Sequence, residues 1–369
     1  MSPAIRKIRP INNEIEIKRF QFESTPSKGS IKASFANEGD VEFQDMAIAE
    51  NNLFYYSIVS PKETLIAKKV IFLFHGLNEK SWKKYLPWAE MISEGTGSSV
   101  VLFPIAFHMQ RVPRQWKDRE NMEVLSRIRK RTNPGIHTSS PYNASLSERI
   151  AERPQRFMDS GIRTYNDVIR FIETCKDGQH SFIHKDFTFN IFAYSIGGYL
   201  AQMLKFTNYQ GYFTHTKVCL FCSGSTLDSA APISKFILDS SAEDKLRDYF
   251  KGGEVNDIIL SSEHQRMDEM VLRSFYQYNH MRGFREAHIK AHCDYLYVIA
   301  LKKDDVIPAD AVVRTMGGQE GNLGIKVDVL DFERDYTHEI PFSLNHDPMD
   351  GNDEDMVVVF NKVNNFFNS

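Results

Sequence analysis

The sequence predicts an α/β protein with a mostly parallel central sheet, and three observations carry that prediction. Five short, nearly continuous apolar runs follow one another from residue 69: KKVIFLFHG, SSVVLFPIAF, FTFNIFAYS, TKVCLFCSGS and DYLYVIALKKDD. Runs of this kind fit strands buried on both faces. Helical patterns lie between several of them, and strands that alternate with helices lead to a sheet with right-handed crossovers. Residues 1–68 have a different style. There IEIKRFQFES and NNLFYYSIVS are β-branched and aromatic runs separated by polar turns, as expected of antiparallel strands at one edge of the same sheet.

Two helices can be placed by spacing. SWKKYLPWAEMI sets Trp82, Tyr85, Leu86, Ala89 and Ile92 on one face, and GIRTYNDVIRFIETC does the same with Ile162, Tyr165, Val168, Ile169 and Ile172. Two stretches break the alternation. Residues 107–160 carry eleven Lys/Arg against six Asp/Glu, a net of +5. Residues 226–290 read as helical (DSSAEDKLRDYF, DEMVLRSFYQYNHMRGF) and contain no run of the core-strand type. Both follow predicted strands, so they are expected as cap insertions at one edge of the sheet. The organisation expected is one domain over residues 1–369: a β-rich edge (1–68), a basic insertion (107–160) and a helical cap insertion (226–290).

Composition narrows the function classes. With 369 residues, 42% hydrophobic and 12% aromatic content, the chain can bury a substantial core. A net charge of -3 gives no whole-molecule case for nucleic acid or an acidic membrane. Four cysteines are too few for a disulfide framework, and the CxxC of Cys219 and Cys222 lies inside the apolar run VCLFC, where packing explains it. No segment has the length of a signal peptide core or a membrane span, so a soluble, cytoplasmic protein is expected.

The chemistry concentrates at FNIFAYSIGGYLAQM, residues 189–203, where an apolar run meets a helix-like stretch at a serine. Ala193-Tyr194-Ser195-Ile196-Gly197 matches the nucleophile elbow G-x-S-x-G at every defined position but the first, where alanine replaces glycine. The residues two before and two after the serine must be small, because strand and helix backbones approach closely there. Ser195 at the start of the helix would also meet free amides that favour a developing negative charge. A serine needs a base, and the base needs an acid to orient it. YLYVIALKKDDVIPADAVV ends an apolar run in Asp304-Asp305 ahead of Pro308, and one last strand-like run, GIKVDVLDF, precedes His338 in a loop. The order Ser, Asp, His is the order this architecture requires.

HGLN at 75–78, AYSIG at 193–197, DDVIP at 304–308 and His338 together resemble the α/β-hydrolase superfamily, in its serine-nucleophile form, over roughly residues 69–367. The resemblance implies the α/β-hydrolase fold: a mostly parallel sheet with antiparallel N-terminal edge strands, helices on both faces and helical caps. It implies Ser195 as nucleophile and Asp304 as acid, from the D-x-x-V-P spacing, with Asp305 in reserve. His338 follows the final strand and takes the role of base, with His346 in reserve. The HG turn implies an oxyanion hole from the backbone N–H groups of Leu77 and Ile196, with Asn78 a possible addition. Fixed donors of this kind matter because losing one costs ~3 kcal/mol of transition-state stabilisation.

The expected activity is therefore hydrolysis of an ester, thioester or amide through an acyl-enzyme, on a small-molecule substrate carrying an acyl group. No metal or other cofactor is called for: the sequence has no HExxH, and NHDPMDGNDED lacks the alternating calcium-loop pattern. A non-catalytic binding protein and an acyltransferase on the same fold are the alternatives, and an aspartate nucleophile is disfavoured by the serine. Arg111, Arg114, Arg127 and Arg129 of the basic insertion are candidates for binding an anionic substrate group if they face the pocket.

Overall fold

The computed structural model describes residues 14–24, 48–251, 263–342 and 354–369. Its strands are β1 (Ile15–Glu23), β2 (Leu53–Pro61), β3 (Ala67–Phe74), β4 (Ser99–Leu102), β5 (Ile183–Tyr194), β6 (Val218–Phe221), β7 (Leu296–Leu301) and β8 (Lys326–Leu330). Its longer helices are α1 (Tyr85–Thr96), α2 (Arg119–Thr132), α3 (Ala144–Glu152), α4 (Gln155–Lys176), α5 (Gly197–Thr207), α6 (Ser240–Lys251), α7 (Glu263–Ser274), α8 (Arg282–Ala291), α9 (Ala309–Gly317) and α10 (Glu354–Asn368). The strands form one sheet in the order β1-β2-β4-β3-β5-β6-β7-β8. The β1–β2 and β2–β4 pairs are antiparallel, and every other pair is parallel. This is the α/β-hydrolase fold, with the N-terminal runs at the antiparallel edge as their composition requires.

Alternation along the parallel strands divides the core between two faces. Val70, Phe72 and Phe74 of β3 pack with Val168 and Ile172 of α4 and Leu200 and Leu204 of α5. Ile71 and Leu73 point the other way, into the cluster that holds Trp88 and Ile92 of α1 and Val359, Phe360 and Val363 of α10. Sheet residues buried under helices on both sides have no polar alternation to display, which is why these runs read as continuous apolar stretches. Cys219 and Cys222 are free and wholly buried in the second cluster, the packing role their context suggested.

Two sequence expectations change in detail. SSVVLFPIAF gives only a four-residue strand, because the chain leaves the sheet at Phe103-Pro104, where proline has no N–H to donate. DEMVLRSFYQYNHMRGF does not form one helix. The turn breaks after Ser274, Met281 adopts a left-handed φ of 48°, and α8 begins at Arg282. The buried Arg285 guanidinium stabilises the break by donating to the carbonyls of Ser274, Gln277, Tyr278 and His280. Charge-assisted donors satisfy the acceptors that the interrupted helix leaves behind.

The entry to β5 is set by His180. Its Nδ1 accepts from the amides of Phe182 (3.0 Å) and Ile183 (2.9 Å), so Nε2 carries the proton and donates to Tyr56 Oη at 2.7 Å. Protonating Nδ1 would break both amide contacts, and burial lowers the His180 pKa to about 4. The folded value lies below the unfolded one, so the unfolded chain binds more protons as pH falls. Stability is therefore fully present above pH ~6.5 and is lost progressively as pH falls toward 4. Melting temperatures measured across this range should fall less steeply in His180→Ala than in the native chain; equal slopes would remove His180 from the account.

The exit from β5 is set by crowding. A Cβ on Gly197 would lie 2.7–2.8 Å from Cβ, C and O of Phe74, at the end of the neighbouring strand. Gly161, inside α4, has nothing within 4 Å of the same position. Gly197→Ala should cost about 1–3 kcal/mol by overpacking, whereas Gly161→Ala should gain about 0.5–1 kcal/mol from helix propensity. Urea unfolding of the two variants checks the contrast, and an unshifted midpoint for Gly197→Ala would contradict the close approach.

Candidate active site

Three neighbouring parallel strands end at one level, because Tyr194 pairs with Phe221 and Phe221 with Ile299. The segment following each strand therefore reaches the same edge of the sheet. Ser195 follows β5 with a left-handed φ of 56°, the sharp turn expected of an elbow. Its amide donates to Phe221 O at 3.1 Å, and Gly198 N donates back to Ser195 O at 2.9 Å as α5 begins. Ala193 is wholly buried in the core between Phe74 and Leu220, so the methyl in place of the first glycine is accommodated inside the sheet.

Asp304 follows β7, and its amide donates to Leu301 O at 3.1 Å. Its Oδ1 accepts from the amides of Val306 (3.0 Å) and Ile307 (2.7 Å), which fixes the carboxylate ahead of Pro308 and α9. His338 lies in the loop after β8. Its Nδ1 is 2.8 Å from Asp304 Oδ2 and 3.0 Å from Oδ1, and its Nε2 is 2.7 Å from Ser195 Oγ. A carboxylate only accepts, so Nδ1 holds the proton and the Nε2 lone pair faces the serine hydroxyl. All three residues are at most 5% exposed. The imidazole stacks on the Tyr194 ring with centroids 5.2 Å apart, and Tyr194 Oη donates to His338 O. Asp305 is exposed and accepts from the His338 amide at 3.4 Å, so it touches the histidine backbone while Asp304 holds the ring. The Cys222 thiol, beside Asp304, is pushed well above its ordinary range by burial and by that carboxylate. His346 and the acidic NHDPMDGNDED segment lie outside the described residues.

The HG turn at the end of β3 faces this group. His75 Nε2 accepts from Ile105 N at 2.9 Å and its Nδ1 donates to Gly76 O at 2.8 Å, a neutral arrangement that burial favours by holding the imidazole well below its usual range. Tyr85 Oη accepts from Gly76 N at 2.9 Å and donates to Glu79 at 3.1 Å. The turn is thus fixed from both sides. The amides of Leu77 and Ile196 have no protein acceptor among the described residues. Asn78, at φ 60°, uses its side-chain amide on the carbonyls of Tyr142 (3.0 Å) and Phe236 (2.6 Å), which ties the turn to both insertions.

The insertions also hold each other. Arg129 pairs with the buried Asp239 at 2.7 and 2.8 Å, and Asn143 donates to Ser234 O at 2.8 Å. Beneath them lie two adjoining pockets. Both are lined by Leu77, Ile196, Phe157, Tyr199 and Leu227. The first lobe adds Ser195, Val306 and Ile307 and has Asp228, Glu243 and Arg247 in its wall. The second adds Leu146, Ile150, Met203, Leu272 and Phe275, with His108, Arg149 and Arg156.

The four arginines singled out in the sequence take other places, and none of them lines either lobe. Arg111 is fully buried against Asp167 (2.8 Å), Arg129 is spent on Asp239, Arg114 is exposed near Glu50, and Arg127 is exposed on α2. The basic insertion does reach the cavity, but through Arg149 and Arg156 of α3 and α4. Charge density alone could not rank these side chains, since only the packing of α3 and α4 over the sheet decides which ones turn inward.

No curated protein sequence matches the chain. Among solved structures it is similar to carboxyl esterase 2 of the mycorrhizal fungus Tuber melanosporum, at 11% identity over 98% of this chain and 88% of that one, with a TM-score of 0.47. It is also similar to an esterase of Rhizomucor miehei (11% identity, 95% and 82% coverage, TM-score 0.46). A third likeness is to the peroxisomal α/β-hydrolase Lpx1 of Saccharomyces cerevisiae (12% identity, 96% and 89% coverage, TM-score 0.45). A family model matches almost the whole sequence, residues 7–368, and the chain therefore belongs to DUF6051, a family of unknown function.

Proposed function

We propose that the protein is a serine hydrolase that cleaves an ester, thioester or amide through an acyl-enzyme. The observation that carries this reading is the continuous hydrogen-bond chain from Ser195 Oγ through His338 to Asp304, buried beneath a covered cavity. As the Ser195 oxygen attacks the acyl carbon, its proton passes to His338 Nε2. The imidazolium so formed is stabilised by the Asp304 carboxylate, which stays ionised. The negative charge that develops on the carbonyl oxygen is met by the amides of Leu77 and Ile196. Collapse of the tetrahedral adduct breaks the bond to the leaving group, which takes the proton from Nε2. Water then repeats the sequence on the acyl-enzyme, releases the acid and restores the serine.

The two lobes divide the substrate. The first lobe holds Ser195 together with Val306 and Ile307, whose amides fix Asp304, and it is assigned to the leaving group. The second is reached past Leu77 and Ile196 and receives the acyl chain. Its mostly apolar lining suits an acyl group of several carbons.

Hydrolysis of p-nitrophenyl esters of increasing acyl length tests the reading. Ser195→Ala and His338→Ala should each lower kcat by ~10⁴-fold or more, and Asp304→Asn by ~10²–10⁴-fold, with melting temperatures close to the native value. Asp305→Asn and His346→Ala should stay within about tenfold of native kcat. Undiminished turnover by Ser195→Ala would overturn the proposal, and a larger loss at Asp305 than at Asp304 would overturn the assignment of the acid.

A further inference from the structure

The second lobe contains a polar group that the proposed reaction does not use. His108 is 3% exposed and lines this lobe. Its Nδ1 lies 2.8 Å from Ala106 O and must be the donor, because a carbonyl only accepts. That leaves Nε2 as a bare acceptor, and it has no hydrogen-bond partner among the described residues. An acceptor buried in this way is costly unless a ligand satisfies it.

The surrounding backbone is built to hold the ring there. Phe107 and Met109 on either side have left-handed φ values of 66° and 50°, which are strained for side chains of their size. The segment is fixed at successive amides: Ile105 N to His75 Nε2 (2.9 Å), Ala106 N to Thr164 Oγ1 (2.9 Å), Phe107 N to Asn51 Oδ1 (2.9 Å) and Met109 N to Glu79 O (2.8 Å). Two of these anchors, His75 and Glu79, also hold the HG turn that presents the Leu77 amide. His108 therefore has a fixed position relative to the acyl carbonyl.

We propose that the acyl group accepted by this lobe carries a neutral hydroxyl, which donates its proton to His108 Nε2. The inference rests on the serine-hydrolase reading and on the lobe receiving the acyl chain. A donor is required because Nε2 can only accept. Burial, opposed by the Ala106 carbonyl and aided by Arg149, Lys80 and Arg111, lowers the His108 pKa to about 4, so the ring stays neutral near pH 7. The same cations disfavour an ammonium group. A carboxylate would set its own lone pairs against that of Nε2. A hydroxyl meets the acceptor without adding charge to a mostly apolar lobe, and a site built to bond a hydroxyl discriminates strongly against the analogue that lacks it.

The test uses p-nitrophenyl hexanoate, a set of its monohydroxylated forms with the hydroxyl at each chain position, and the ester of the six-carbon diacid. Ratios of kcat/KM between hydroxylated and plain esters are taken within each protein, so a general loss of activity cancels. In the native chain one hydroxylated ester should be preferred about tenfold or more. The preference should fall to near unity in His108→Phe and return in part in His108→Gln, which restores an acceptor. No preference at any position, a preference for the diacid ester, or a preference that survives in His108→Phe would each overturn the inference. Calorimetry with the free hydroxy acids and hexanoic acid on Ser195→Ala reads the lobe without turnover. If no ester is cleaved but the hydroxy acid binds more tightly through His108, the hydrolase reading fails and the lobe's preference stands. If esters are cleaved without preference, only the inference fails.

Discussion

Gly197 packs against Phe74 with no space for a side-chain carbon between them, and the site is built outward from that contact. It brings the start of α5 onto the end of β3 and forces the chain through a left-handed turn at Ser195. One close approach therefore sets the direction of the hydroxyl and brings Leu77 and Ile196 to the wall of both pockets. A strained backbone turn persists only where neighbours over-determine it. Here the neighbours are parallel strands in register on both sides of β5. The same register brings the segments after β7 and β8 to the level of the turn, so Asp304 and His338 need only short segments to reach Ser195.

A second layer keeps these groups in place. The Asp304 carboxylate is satisfied by two amides and by the imidazole, which leaves it little freedom to turn. His338 is held on three sides, by the ring and hydroxyl of Tyr194, by Asp304 and by the Asp305 carboxylate at its backbone. The cover over the cavity is equally fixed, through Asn78 and through the buried Arg129–Asp239 pair. Breaking a buried pair leaves an uncompensated charge, so the Arg129–Asp239 contact ties the two insertions together. No helix among the described residues is long and apolar enough to cross a membrane.

The legible part of this arrangement is the part that local physics dictates. Buried strands must be apolar throughout, the elbow must have small residues beside its serine, and an aspartate four positions before Pro308 caps the turn that follows a strand. These constraints act within a few residues, so β3 to β8 and the positions of Ser195 and Asp304 could be read from the chain, whereas the choice of His338 over His346 rests on the order of elements that the resemblance implies. Other features arise from contacts between distant segments. Arg111 and Arg149 sit in one basic stretch, yet Asp167 neutralises the first while the second lies 3.6 Å above the Phe107 ring and lines the cavity. His108 looks like any loop histidine until Ala106, Thr164 and Asn51 are placed around it. The break before α8 is local, but it depends on the Arg285 side chain turning inward onto the carbonyls of the preceding turn, which spacing alone does not reveal.

We propose that Ser195 is a nucleophile activated by its buried neighbours. A fluorophosphonate reacts with such a serine by displacement of fluoride and forms a stable phosphonyl ester that intact and peptide mass spectrometry can locate. The account predicts one adduct per chain, confined to the peptide containing Ser195, formed quickly by the native protein and absent from Ser195→Ala. An adduct on another residue, or equal labelling of Ser195→Ala, would contradict it.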